Sequence, residues 1–505
     1  MIQSLLITLA ITTSPAATTC VNLKALTIPN VTIAGAGTQL AGPFTPPGSR
    51  NPIMLPAFCR IEGVARPTSD SEIRFEVWIP PAEAWNGKFQ GVGNGGYAGS
   101  ISYPAMATAL QRGYATASTD TGHVGDDLKF GQGHPEKVVD WAYRAIHVTA
   151  EVSKLIVRNH TGKFPDHSYF VGCSTGGHQA LSEAQRFPDD YDGIVAGSPG
   201  YDRIRQIGSY LWAWTATHTK EGAPILPASK LPLLTKSAVA ACDSNDGLKD
   251  GLIDDPRLCR FDPATLLCKA GDSASCLTAP EVEAVKKVYS DLRNPRTGEQ
   301  IYPGWSPGSE AFGDGANAGW RGFVLDPPEP MRVGVYRYFL FDDPNWDWRT
   351  MDWDRDIAYA DAKLGFMSAV DPDLTAFKQR GGKLLMHTGW ADPVAIPNDV
   401  LKYYEAATKK MGGAEKTKEF FRFFMAPGMG HCGGGPGPNT YDALSALEQW
   451  VEKGVAPSKI VASHSTGTVV DRTRPLCPYP QVARWKGTGS TDDAANFVCT
   501  NANQK

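Results

Sequence analysis

The sequence predicts an α/β protein built on a largely parallel sheet and interrupted by one long insertion. Three observations carry that expectation. Strand-like and helix-like runs alternate up to about residue 200. Between about 201 and 380 the alternation gives way to a segment rich in proline, tryptophan and aspartate, as in DDPNWDWRTMDWDRD. From 381 the alternation returns. At 505 residues and 42% hydrophobic content the chain can bury a large core, and it exceeds the usual size of one simple domain. Residues 19–200 and 381–505 are expected to form one core domain, and 201–380 an inserted one.

The elements follow in order. Ile73–Ile79 (IRFEVWI) has strand composition, and KFQGVG at 88–93 reads as a strand running into the glycine-rich GNGGYAG. GYATAS at 113–118 is a further short strand. Residues 139–158 carry apolar positions at helical spacing. SYFV at 168–171 is a strand; a glycine turn follows, then HQALSEAQRF as a helix stopped by Pro188. DGIVAG at 192–197 reads as a buried strand. After the insertion, GKLLMH at 382–387 and FFRFFM at 420–425 are strands, and 397–411 and roughly 440–452 are helices. No internal repeat is evident.

Composition excludes some functions. The formal net charge of −4 supplies no basic field for nucleic acid or an anionic membrane. Beyond the N-terminus no apolar run has membrane length. The first 18 residues read as a signal peptide or its remnant: an apolar run from Leu5 to Ile11 precedes small residues around Ser14–Ala17, although no Lys or Arg comes before it. The ten cysteines form no CxxC pair, which argues against a zinc ribbon. Cys242/Cys259, Cys268/Cys276 and Cys477/Cys499 each bracket a short, turn-rich segment, which favours disulfides and a secreted or periplasmic location over ten unrelated buried thiols. The sequons at Asn30 and Asn159 add nothing without a host.

The chemistry centres on GCSTG at 172–176, a G-x-S-x-G pattern between a strand and a helix. A turn tight enough to hold Ser174 in strained geometry leaves no room for side chains on its neighbours, hence the glycines. The bland alternative is a structural turn. A serine hydroxyl needs a base, and the base needs a carboxylate to orient it. Asp392 follows KLLMH in HTGWADP, and His431 follows FFRFFMAP in the glycine-rich GMGHCGGG. Alone, Asp392 would read as a helix cap and His431 as a loop residue. Together they stand at strand ends in the order Ser–Asp–His. His464 is the rival base, Asp399 the rival carboxylate, and His178 is read as a packing residue. Cys173 precedes Ser174 and Cys432 follows His431, so a Ser174–His431 hydrogen bond forces the two cysteines together. A disulfide there is expected to align the chemistry.

GNGGYAG, GCSTGGHQAL, YDGIVAGSPG, GWADP and PGMGHC, in this order over nearly the whole chain, resemble the tannase and feruloyl esterase family of α/β hydrolases, which also includes the bacterial hydrolase of mono(2-hydroxyethyl) terephthalate. The resemblance implies an α/β-hydrolase core with a lid at 201–380. It also implies disulfides Cys20–Cys59, Cys173–Cys432, Cys242–Cys259, Cys268–Cys276 and Cys477–Cys499. It further implies a structural calcium ion in the lid. Asp243, Asp246 and Asp250, spaced by glycines in a loop between two cysteines, suit a hard cation, and similarity adds the carbonyls of Leu248 and Leu252. The alternative is a solvated acidic turn. No organic cofactor is expected.

The function that follows is a secreted serine esterase acting on small esters of phenolic acids, whether free or attached to plant polysaccharide or polyphenol. The oxyanion is expected to meet the backbone N–H of Thr175 and of Gly95 or Gly96. Feruloyl esterase is the preferred assignment, with tannase and terephthalate monoester hydrolase as alternatives. A peptidase using the same triad is a third. An inactive hydrolase fold serving as a calcium-dependent binding module is the alternative of another class.

Overall fold

A computed structural model describes residues 17–97, 99–312 and 319–501. The apolar run of the expected signal segment lies outside the described residues. A nine-stranded sheet organises the core. Its strands are β1 (Val31–Gln39), β2 (Phe58–Ala65), β3 (Ile73–Ile79), β4 (Lys88–Val92), β5 (Ala115–Thr119), β6 (His167–Cys173), β7 (Gly193–Gly197), β8 (Lys383–Gly389) and β9 (Phe421–Ala426). The spatial order is β1-β2-β3-β5-β4-β6-β7-β8-β9. From β5 to β9 every pairing is parallel, while β1, β2 and β3 form an antiparallel extension joined to β5.

The parallel strands are short apolar runs because both faces are covered. Every residue of β5 and of β7 is buried, whereas the edge strand β1 is mostly exposed or half-buried. Alternation still assigns faces. Phe170, Ile194, Leu384 and Phe423 pack on one side with Ile156, Leu181 and Leu401. Tyr169, Val195, Leu385 and Phe424 pack on the other with Leu447 and Trp450. Burying one such large side chain contributes about 1.5–3 kcal/mol.

The helices that cover the sheet are α1 (Tyr103–Gln111), α2 (Ala145–Thr161) and α3 (Thr175–Arg186), then, beyond the insertion, α8 (Pro397–Lys410) and α9 (Ala443–Lys453). The insertion holds α4 (Arg203–Thr217), α5 (Leu231–Cys242), α6 (Ala279–Tyr289) and α7 (Arg355–Leu364), with long irregular stretches between them. Its apolar cluster includes Ile207, Tyr210, Val285, Trp320 and Tyr336, and it continues into Tyr97, Trp141, Val394 and Ile396 of the core. Ala369, Leu374 and Phe377 already pack beneath the sheet with Leu384 and Met386, so the core resumes before residue 380.

Two expectations are corrected. The helix read over 139–158 is a π-type turn at Asp140–Arg144 followed by α2, which runs to Thr161 and ends on Gly162 at φ +83°. Apolar spacing does not register that bulge. Buried Asp140 opens it, its carboxylate held by Arg144 Nε at 2.5 Å across the turn. Past α9 the chain forms two hairpins absent from the sequence reading, β10 (Ile460–Thr466) with β11 (Val469–Leu476), and β12 (Gln481–Trp485) with β13 (Phe497–Asn501). Among the described residues no helix is long and apolar enough to cross a membrane.

The disulfides join Cys20–Cys59, Cys173–Cys432, Cys242–Cys259, Cys268–Cys276 and Cys477–Cys499, the pairs implied by the resemblance, and no cysteine is free.

Candidate active site

The site stands at the C-terminal ends of the parallel strands, where loops from neighbouring strands converge. Ser174 follows β6 directly and opens α3, with φ +64° and ψ −118°. A non-glycine residue so placed stores about 1–3 kcal/mol of strain, which the surroundings must over-determine. They do. Ser174 N donates to Gly197 O at 3.0 Å, and His178 N donates to Ser174 O at 3.0 Å. A Cβ on Gly172 would sit 2.4 Å from Gly176 O, so the first glycine of the motif is there for the close approach of the returning helix.

His431 and Asp392 arrive from the ends of β9 and β8. His431 Nε2 lies 2.7 Å from Ser174 Oγ, and His431 Nδ1 lies 2.9 and 3.0 Å from the two oxygens of Asp392. Asp392 is fully buried and also accepts the backbone N–H of Val394 at 2.8 Å and of Ala395 at 2.9 Å. With its oxygens so committed, the carboxylate acts as a fixed acceptor for Nδ1–H. That fixes the tautomer and leaves the Nε2 lone pair facing the serine hydroxyl. A Cβ on Gly389 would meet Met429 O at 2.0 Å, so the loops carrying Asp392 and His431 touch backbone to backbone.

The glycine loop after β4 closes the other side. Gly176 N donates to Asn94 O at 2.8 Å, and Thr175 Oγ1 donates to Gly96 O at 2.5 Å. Asn94 is buried and is held by its own N–H on Gln179 Oε1 at 3.0 Å, by Gln179 Nε2 on its Oδ1 at 3.0 Å, and by its Nδ2 on the carbonyls of Ser100 and Thr119. Sequence reasoning missed this Asn94–Gln179 clamp, although both residues lie inside quoted motifs. The backbone N–H groups of Thr175, Gly95 and Gly96 have no acceptor among the described residues, and all three residues line the cavity at Ser174.

That cavity has a volume of about 340 Å³. Its walls include Tyr97, Ile207, Tyr210, Phe323 and Val394 as apolar surface, together with Gln206, Arg203 and Arg332. The lid therefore supplies much of the wall. None of its lining residues was singled out from sequence, because they come from α4 and from irregular segments without periodicity.

The rivals are placed elsewhere. His464 sits on β10 and pairs with Asp471 at 2.6 Å. Buried His178 donates its Nε2–H to Met367 O at 2.8 Å and stacks on Trp141, and burial keeps its imidazole well below the usual range. Asp399 lies in the first turn of α8, where Tyr201 Oη donates to its Oδ1 at 3.3 Å. Burial, followed by the nearby Asp202, pushes the Asp399 carboxyl up, which disfavours the charge an orienting carboxylate needs.

The acidic loop closed by Cys242–Cys259 lies against the C-terminal hairpins. Asp243 Oδ1 accepts the N–H of Asp250 and of Gly251, each at 3.0 Å, and Asp246 Oδ1 accepts that of Leu248 at 3.0 Å. Asp250 is ion-paired with Arg474 at 2.5 Å. Among the described residues no three acidic or other ligating side chains converge on one point. The loop nevertheless fits a hard cation in its chemistry. The carbonyls of Leu248 and Leu252 accept no hydrogen bond among the described residues. Negative charge is also crowded there: burial and Asp250 push Asp246 up, and burial and Asp246 push Asp254 up to about 7.

Comparison with known proteins gives a consistent result. Residues 59–500 match the family model described as tannase and feruloyl esterase. The chain is 40% identical to an uncharacterized esterase of Xanthomonas campestris, over 97% of this chain and 93% of that one. It is 34% identical to the mono(2-hydroxyethyl) terephthalate hydrolase of Piscinibacter sakaiensis, covering 90% of this chain and 86% of that one. Among solved structures, feruloyl esterase B from Aspergillus oryzae superposes with a TM-score of 0.88 at 32% identity, covering 95% of this chain and 99% of that chain.

Proposed function

This chain belongs to the tannase and feruloyl esterase family of carboxylic ester hydrolases, and from that premise we propose that it is a serine esterase cleaving esters of phenolic carboxylic acids. The single observation that carries the reading is the unbroken chain of hydrogen bonds from Ser174 Oγ through His431 to buried Asp392, inside a cavity with aromatic walls.

The reaction is acyl transfer in two steps. Ser174 Oγ attacks the ester carbonyl while His431 Nε2 takes its proton, and Asp392 stabilises the imidazolium that forms. The carbonyl oxygen gains negative charge and is met by the Thr175 N–H and by that of Gly95 or Gly96, one such donor contributing about 10²–10³ in rate. The tetrahedral species collapses by breaking the bond to the alcohol oxygen, to which His431 returns the proton. Water then enters. His431 removes a proton from it, the hydroxide adds to the acyl carbon, and collapse restores Ser174 and frees the acid.

The ring of a phenolic acid suits Tyr97, Tyr210 and Phe323, and ferulate-type acids are the preferred substrates, as the name of the Aspergillus relative supports. The protein acts outside the cytoplasm, a location favoured by the pairing of all its cysteines. The test is chromatographic detection of acid released from methyl ferulate, methyl caffeate, methyl gallate and a terephthalate monoester. Release is expected, with ferulate or caffeate ahead. No release from any member by folded protein would overturn the reading.

The same reading includes a calcium ion held by Asp243, Asp246 and Asp250 with the carbonyls of Leu248 and Leu252. It pins the lid loop to the C-terminal hairpins and takes no part in the reaction. Chelation is expected to lower the melting temperature by several degrees, and added calcium to restore it. A melting curve indifferent to both would remove the ion.

A further inference from the structure

One peptide group joins the lid to the triad. In α4, Gln206 and Tyr210 stand one helical turn apart on the same face, toward the loop that follows β8. Gln206 Nε2 donates to Val394 O at 3.0 Å, and Tyr210 Oη donates to the same oxygen at 3.0 Å. Both side chains and Val394 are buried. The Gln206 amide is oriented from its other end. Its Oε1 has Arg203 Nη1 at 3.5 Å, and a Cβ on Gly200 would stand 2.6 Å from it.

The Val394 carbonyl and the Ala395 N–H belong to the same peptide unit, and that N–H donates to Asp392 Oδ1 at 2.9 Å. A peptide unit is planar, so two donors on its oxygen fix the direction of its N–H. They also polarise it, which strengthens the bond its N–H makes to the carboxylate. From α4 the series runs without a gap through this peptide to Asp392, His431 and Ser174 Oγ. The Tyr210 ring walls the cavity at the same time, while its hydroxyl is committed to Val394 O.

We propose that Gln206 and Tyr210 are positioning residues for Asp392, so that the lid helix completes the triad in addition to shaping the cavity. The proposal rests on the esterase reading of this site. With both donors gone, Val394 O is left buried without a partner, and the peptide turns to find one. Ala395 N–H then leaves the carboxylate, and the hold of Asp392 on His431 Nδ1–H slackens. Either donor alone still satisfies the carbonyl. The two single losses are therefore small, and the double loss exceeds their product.

Tyr210→Phe keeps the aromatic wall and removes only the hydroxyl, and Gln206→Met removes the amide at similar length. The double variant is expected to lose about 10–100-fold in kcat on methyl ferulate with KM within about threefold, and each single variant about twofold. Phosphonylation of Ser174 by diisopropyl fluorophosphate, which has no ring for the wall to hold, is expected to slow by the same factors as kcat. The far-downfield proton resonance of His431 Nδ1–H is expected to shift or vanish in the double variant and to persist in Ser174→Ala. Should the double variant fail to fold, the single variants decide, each slowing both reactions with KM unchanged. The proposal is overturned if the folded double variant keeps kcat and phosphonylation within about twofold of wild type, or if the single variants, where they must decide, slow neither reaction. It is equally overturned if the loss falls on KM alone with phosphonylation unchanged, which would leave Gln206 and Tyr210 as wall residues only. Folded wild-type protein that neither cleaves the ester nor takes the label overturns the esterase reading itself.

Discussion

Ser174→Ala is expected to abolish ester turnover, lowering kcat by about 10⁶-fold, while leaving the melting temperature within a degree or two. The size follows from how the triad works. In the proposed mechanism Ser174 Oγ forms the bond to the acyl group, and His431 Nε2, 2.7 Å away, takes its proton in the first step. Any residual rate would come from binding and the oxyanion donors alone. Stability is spared because Oγ makes no hydrogen bond besides that to His431 among the described residues, and because the strain at φ +64° belongs to the backbone, which alanine keeps. Steady-state rates together with a thermal melt check both halves. A variant retaining a tenth of wild-type turnover would mean that another group attacks the ester.

Removal of the Cys173–Cys432 bridge is expected to have the second largest effect. The bond spans 259 positions and ties the residue before Ser174 to the residue after His431. Cys432 has φ +63° beside a serine at +64°, so two strained residues stand on either side of the reacting atoms. The double variant Cys173→Ala/Cys432→Ala should lose about 3–5 kcal/mol of stability by the loop-entropy account. Well below its melting temperature it should also lose about 10²-fold in kcat, the scale of a 1 Å misplacement of catalytic groups. Removing Cys268–Cys276, which closes a loop of 8 positions in the lid, provides the comparison. It should lower stability with turnover largely retained. Equal turnover loss in both variants would mean that the first bridge acts only through global stability.

The legible part of the molecule is the part built by short-range rules. The parallel strands are buried on both faces, so each appears in sequence as an uninterrupted apolar run. Ile194–Ala196 and Leu384–Met386 are examples, and their observed bounds lie within a residue or two of those read. The triad was legible because strained turns at strand ends demand glycine around Ser174 and His431. Less could be read where long-range contacts decide. β1 is an edge strand with few buried positions, and the hairpins β10–β13 are mostly exposed or half-buried, so neither has a strong apolar pattern. Asp140 gave no warning of the π turn, because its partner Arg144 has the same spacing as an ordinary helical ion pair. Phe323 and Arg332 line the cavity from short lid segments, the first on a single π-type turn, Arg321–Leu325, that packs against α4.

The most direct test of the account is covalent. Incubation with a fluorophosphonate, followed by proteolysis and mass spectrometry, locates the serine that His431 activates. One adduct is expected, on the peptide containing Ser174, forming more slowly when a cleavable ester is present and lost in His431→Ala. Absence of an adduct in folded protein, or an adduct on a different serine, would contradict it.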